Sequence, residues 1–257
     1  PENWDNRGNI PALTRLVSAY IAKASTELAS HQTAILGIFQ KLLAAKQTEA
    51  QSVQILNTFV AHFDSATVVQ FLPEIFRLLV TRLQKSQTEK YSGLFSSFLG
   101  LLASKYGGPA VYQHLESLQN GMAATVADKF WAVSIKSRPP VQRMDAKVQA
   151  IGLTHFLFQP LQNGYFLDVN AAVWTKMVLA GVALLSSPSF AAKAVTAGLD
   201  DADIVDVSYD STFSELKFSR TAPVDLFPDH PNPAAEFCQG LMQLSQQRPG
   251  HIAPMLQ

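Results

Sequence analysis

The sequence predicts an all-α fold, a superhelix of antiparallel helix pairs stacked one on the next, and three observations support this. Residues 51–85 contain two apolar stripes at spacings of three and four: Val53, Leu56, Phe59, Val60 and Phe63, then Val68, Phe71, Leu72, Ile75, Phe76, Leu79 and Leu83. Between them His62-Phe63-Asp64-Ser65 supplies a stop and a new start, with Asp64 or Ser65 placed to cap the next helix. A similar pair precedes this one at an offset of roughly 40 residues, the period of HEAT-type repeats. So short a pair cannot bury both apolar faces alone and needs like neighbours on each side. The fold class is therefore an α-α superhelix, a HEAT/ARM-type repeat solenoid.

Composition agrees with a folded chain. Of 257 residues, 47% are hydrophobic and 16% charged, too apolar for disorder. Twenty basic residues balance twenty acidic ones, which argues against a nucleic-acid surface. The single cysteine, Cys238, rules out an internal disulfide and fits a reducing compartment. The longest greasy stretch, 177–185, is far below the ~20 residues that span a bilayer, so no membrane insertion is expected. The chain begins at Pro1 and enters structure almost at once, and it reads as a piece of something longer.

Asn9 before Ile10-Pro11 looks like an N-cap followed by a first-turn proline. The helix it opens, 10–23, would turn Leu13, Leu16, Val17, Tyr20 and Ile21 inward. A second helix carries Ile35, Leu36, Phe39, Leu42 and Leu43 to about residue 45. Pro73 is an anomaly in the organising pair: either a short lead-in helix ends near Phe71 or the helix bends there. Residues 88–106 form the next helix, with Tyr91, Leu94, Phe95, Phe98, Leu101 and Leu102 inward. Gly107-Gly108-Pro109 reads as a helix end and restart rather than a phosphate loop, since no strand precedes it and no Gly-Lys-Ser/Thr tail follows.

Residues 111–118 and 122–135 are helical stretches broken at Asn120-Gly121, so this repeat is larger. After a loop at 137–140, residues 141–158 form a helix packing Met144, Val148, Ile151, Phe156 and Leu157. Residues 169–186 form another, apolar on several sides. Regularity then fades through an irregular connector near 188–232. Residues 211–218 could be helix or strand, and Pro223, Pro228, Pro231 and Pro233 mark an extended wrap. A capping helix at 234–246 brings Phe237, Cys238, Leu241, Met242 and Leu244.

No catalytic constellation is visible, and no cofactor is expected. The six histidines are scattered without metal-ligand spacing, there is no Gly-x-Ser-x-Gly elbow, and Cys238 reads as a core thiol. The acidic run Asp200, Asp201, Asp203, Asp206 and Asp210 fails as a calcium loop, because its sixth and twelfth positions hold Asp206 and Thr212. It is a solvated loop or an acidic contact, through Asp201, Asp203 and Asp206, for a basic partner. Solenoids act through extended concave surfaces. If the second helix of each pair faces inward, that wall offers Lys41, Lys46, Arg77, Arg82 and Lys85, and Arg77, Arg82 and Lys85 are the protein-binding candidates.

The sequence also resembles a known family. Gly8-Asn9-Ile10-Pro11-Ala12-Leu13-Thr14-Arg15-Leu16, Leu36-Gly37-Ile38-Phe39-Gln40-Lys41-Leu42, Arg82-Leu83-Gln84 and Lys105-Tyr106-Gly107 are similar to the carboxy-terminal part of the importin-α re-exporter (CAS, exportin 2) family of the importin-β superfamily. So are Phe213-Ser214-Glu215-Leu216 and the closing Arg248-Pro249-Gly250. The likeness is collinear over nearly the whole chain and weakest across 122–140 and the acidic connector. These are packing and turn motifs. The resemblance implies a non-catalytic nuclear export receptor that binds importin-α together with GTP-bound Ran, passes nuclear pore proteins, and shuttles between nucleus and cytoplasm. Residues 1–257 would be its carboxy-terminal HEAT-repeat domain of about five helix pairs.

Overall fold

A computed structural model describes residues 4–191 and 224–256, and those residues contain no strand, only an isolated bridge between Leu161 and Gly164. The long helices are α1 (Ile10–Ala24), α2 (Gln32–Leu43), α3 (Glu49–His62), α4 (Ser65–Lys85), α5 (Glu89–Tyr106) and α6 (Gly108–Leu118). A short α7 (Met122–Val126) runs through a π-helical turn, Ala127–Trp131, into α8 (Ala132–Ser137). There follow α9 (Arg143–Phe158), α10 (Phe166–Val169), α11 (Ala171–Leu185), α12 (Pro188–Ala191), α13 (Pro233–Gln247) and α14 (Ile252–Met255).

The helices stack as a solenoid. One row runs α1, α3, α5, α9, α13, each packed on the next. The partner helices α2, α4, α6 and α11 cover its other side, and one continuous apolar core runs through both rows. Two of the turns are built as the sequence implies, whereas Asn9 precedes α1 and its first-turn proline without a side-chain cap bond. Asp64 Oδ1 accepts from Thr67 N at 2.9 Å and caps α4. Gly107, at φ +87°, ends α5 and starts α6 without a gap.

Helix α4 continues unbroken through Pro73, which sits on its exposed side. The carbonyl that loses its partner there, Val69, also belongs to an exposed residue, so water can take the place of the missing N–H.

Two expectations about inward faces fail. In α1 the buried residues are Ile10, Thr14 and Ile21, while Leu16 and Tyr20 are 52% and 58% exposed. Its main packing neighbour, α3, takes a narrower stripe than the apolar pattern offers. In α13 Phe237 and Leu244 are buried, but Met242 is 61% exposed and Cys238 is exposed. Cys238 is thus a surface thiol, because α13 presents only one edge to α9. The acidic run and residues 211–218 lie outside the described residues.

Helices α5 and α9 approach each other very closely. A Cβ on Gly152 would lie 2.3 Å from the Gly100 carbonyl oxygen, so the two backbones meet where neither carries a side chain. Polar groups stitch the seam on both sides of that crossing. Ser104 Oγ donates to Val148 O at 2.8 Å, and Gln149 Nε2 donates to Ser96 O at 3.0 Å. Gln149 Oε1 accepts from Trp131 Nε1 at 3.0 Å, and His155 Nδ1 donates to Ala103 O at 2.9 Å. Gly108 extends the clamp: its N–H donates to Gln159 Oε1 at 2.9 Å, and a Cβ there would strike His155 O at 2.3 Å.

A second rivet is ionic. Glu49, fully buried at the start of α3, pairs with Arg82 of α4 at 2.5 Å. The Arg82 guanidinium also donates to Ser86 O and lies 4.9 Å from the centre of the Tyr91 ring. Tyr91 in turn donates its hydroxyl to Leu79 O at 2.9 Å, and burial pushes its phenol well above the ordinary range. Three successive helices are tied at this point.

These contacts generate two predictions. Gly152→Ala should lower unfolding free energy by at least about 1–3 kcal/mol in urea titration, since neither backbone can retreat. Gly37→Ala, with nothing within 4 Å of its Cβ, should instead stabilise by about 0.5–1 kcal/mol. Breaking the ion pair with Arg82→Ala should cost about 3–5 kcal/mol by leaving a buried carboxylate uncompensated, whereas the double change Glu49→Leu with Arg82→Met should recover most of that loss. A double-mutant cycle by chemical denaturation measures both.

Candidate protein-binding surface

Helix α4 supplies the surface on which the basic candidates were placed. Its buried residues Val68, Leu72, Ile75, Phe76, Leu79 and Leu83 form one stripe, which turns Gln70, Glu74, Arg77 and Gln84 outward. Arg77 is exposed and forks onto Glu74 one turn back, with Nε 2.7 Å from Oε2 and a second contact to Oε1. That pairing holds the Glu74 carboxyl below, and the Arg77 guanidinium above, their ordinary ranges through the shared hydrogen bond. Lys85 is exposed in the last turn of α4, where the helix dipole favours a cation.

Arg82 points the other way. Its guanidinium is committed to Glu49 and Ser86, so it shapes the wall from behind while Arg77 and Lys85 present it. Of the other basic residues on that wall, Lys41 pairs with Asp5 at 2.6 Å and Lys46 is exposed. Asp201, Asp203 and Asp206 lie outside the described residues.

Several residues quoted for the family resemblance turn out to be joints. Lys105 directs its Nζ onto three carbonyls at the end of α3, Val60 O at 2.6 Å, Ala61 O at 3.0 Å and Phe63 O at 3.1 Å. It is thus a C-terminal cap supplied from another helix, and burial lowers its ammonium from the usual value. Arg248 forks onto Asp168 at 2.6 and 2.7 Å, fastening the end of α13 to α10, and holds that carboxyl below its usual range.

Sequence reasoning missed Glu49 and Gln149, because apolar periodicity assigns buried positions only to apolar residues and passes over a polar one. Their one legible trace is negative: each sits at a helix position where an apolar residue would fit the stripe as well.

On the other side of the solenoid a depression of about 170 Å³ opens between α3, α5 and α9, lined by Asn57, His62, Asp145 and Gln149 among others. Asp145 is exposed as a residue, yet the protein around its carboxyl raises it above the ordinary range by desolvation. His62 is lowered by burial and by Lys105 and Lys23. Among the described residues, no group of three or more His, Cys, Asp or Glu could hold a metal ion, and no helix is long and apolar enough to cross a membrane.

The family model described as CAS/CSE protein, C-terminus, matches residues 1–257. Exportin-2 of Pagrus major is 30% identical over 270 residues, covering 100% of this chain and 26% of the relative. Exportin-2 of Oreochromis niloticus is 31% identical over 267 residues and that of Homo sapiens 29% over 273, with the same coverage. The chain therefore spans about a quarter (26%) of the length of the curated relatives it matches. Among solved structures, "The exportin Cse1 in its cargo-free, cytoplasmic state" is similar in fold, with a TM-score of 0.69 at 22% identity, covering 96% of this chain and 24% of that one. With the fold in agreement and a family model matched from end to end, the chain belongs to the CAS/CSE family and corresponds to its carboxy-terminal region.

Proposed function

We propose that this chain is the carboxy-terminal part of a nuclear export receptor that binds importin-α together with GTP-bound Ran and returns importin-α to the cytoplasm. The observation that carries this reading is the end-to-end match to the CAS/CSE model, alongside relatives named Exportin-2 that align over the whole chain. The receptor is a binding protein without catalysis, shuttles between nucleus and cytoplasm, and meets nuclear pore proteins on the way.

The solenoid suits such a task. Each repeat touches only its neighbours, so small changes between repeats sum to a large change in curvature. Ran and cargo that both favour one curvature raise each other's affinity, by couplings of typically ~1–3 kcal/mol. Within this chain the exposed Arg77 and Lys85 on α4, and Asp201, Asp203 and Asp206, are the proposed contacts, with Arg82 holding α4 in place behind them.

The parent receptor tests this directly. Importin-α should bind tightly in the presence of GTP-Ran and weakly with GDP-Ran or without Ran. Arg77→Glu combined with Lys85→Glu in that receptor should weaken the ternary complex by about tenfold, most of it at low salt. Equal affinity under all three conditions would contradict the reading and leave a HEAT-repeat scaffold with another protein partner.

A further inference from the structure

The π-helical turn Ala127–Trp131 has a consequence for the surface beside it. A π turn spends one more residue per hydrogen-bonded ring than an α turn, and such bulges recur at functional positions. Here it lets Trp131 reach inward to Gln149 while Lys129 and Phe130 stay on the face that looks toward the α4–α5 corner. Phe130 and Val133 from this side meet Gln87, Glu89 and Ser92 from the other, and between them lies a groove of about 200 Å³. Val133 is 44% exposed, so with Phe130 it gives the groove a small apolar floor open to solvent between otherwise polar walls.

Cations flank that floor. Lys85 ends α4, Lys90 lies in the first turn of α5, Lys129 lines the groove, and Lys136 and Arg138 follow at the end of α8. All five are exposed, and none makes an ion pair among the described residues. Six other basic residues, Lys41, Arg77, Arg82, Lys147, Lys176 and Arg248, each hold a carboxylate. One acid, Glu89, lines the groove, and Asp128 nearby is already taken by Lys176 at 2.5 Å. In a chain of zero net charge this is a local excess of unpaired positive charge around an apolar slot.

We propose that this groove docks an acidic peptide segment of a partner protein, an apolar side chain of the segment entering between Phe130 and Val133 while its carboxylates meet Lys85, Lys129 and Lys136. Charge complementarity selects this occupant. A nucleic acid fits less well, because Glu89 would face its phosphates and Phe130, half-buried against the core, is a single ring rather than a run of stacking platforms. The proposal shares Lys85 with the export reading but does not rest on it, since Lys129, Lys136 and Val133 belong to the groove alone.

The test uses the full chain and a fluorescein-labelled synthetic peptide of alternating Glu and Asp with a central Leu-Phe pair. Anisotropy should show saturable binding that weakens by about tenfold or more between low and physiological salt. Lys129→Glu with Lys136→Glu should abolish it, and Val133→Ser should weaken it several-fold, with unchanged circular dichroism in each. Lys23→Glu, on α1 and away from the groove, should leave it intact. The proposal is overturned by no saturable binding, by equal loss in the Lys23 variant, by a purely acidic peptide binding as tightly as the Leu-Phe one, or by single-stranded RNA binding more tightly than either.

Discussion

The close crossing of α5 and α9 is the constraint on which the rest of this structure depends. Two helices can approach until backbone meets backbone where a Cβ is missing from the contact, and at Gly100 and Gly152 both helices lack one. A glycine inside a helix costs about 0.5–1 kcal/mol relative to alanine, so each is a local loss. The approach offsets it by bringing Ser104 onto Val148 O and Gln149 onto Ser96 O, bonds that a wider spacing would break. Helix α9 then becomes the hub for α6, α10, α11, α12 and α13. Because the insert α7–α8 also hangs on this seam through Trp131 and Gln149, the enlarged repeat adds to the stack without interrupting it.

Charge is distributed by the same logic. Where a cation serves packing, it is supplied with an anion or carbonyls: Arg82 with Glu49, Lys105 with the end of α3, Arg248 with Asp168. A buried pair contributes little net stability, but its geometry is demanding, so it fixes how α3, α4 and α5 sit relative to one another. Five of the cations left without such partners, Lys85, Lys90, Lys129, Lys136 and Arg138, belong to the α4–α5 corner and the helix beside it, while others such as Lys23 and Lys46 lie elsewhere. Interior charges thus set the shape, and the remaining ones are available to other molecules.

Much of the fold was legible because helical pairs announce themselves by period. The stripe from Val68 to Leu83 located α4, Asp64 marked its start, and Gly107 marked a turn that glycine alone accepts comfortably. The failures share one cause. Period gives the apolar face of a helix but not how many neighbours will cover it, so Leu16, Tyr20 and Met242 were placed inside and lie outside. Long-range polar contacts were illegible altogether: Glu49 and Arg82 are 33 residues apart, and nothing in either local sequence indicates that they meet. The residues that carried the family resemblance recorded part of this information, since Arg82, Lys105 and Arg248 are each joints.

Native-state hydrogen exchange, read helix by helix, tests whether the α5–α9 crossing anchors the stack. The slowest amides should lie in α5 and α9, on both sides of Gly100 and Gly152, opening only with global unfolding while α1 and α14 exchange far faster. If α5 and α9 exchange no more slowly than α1, the crossing is a contact like any other and the stack is held together elsewhere.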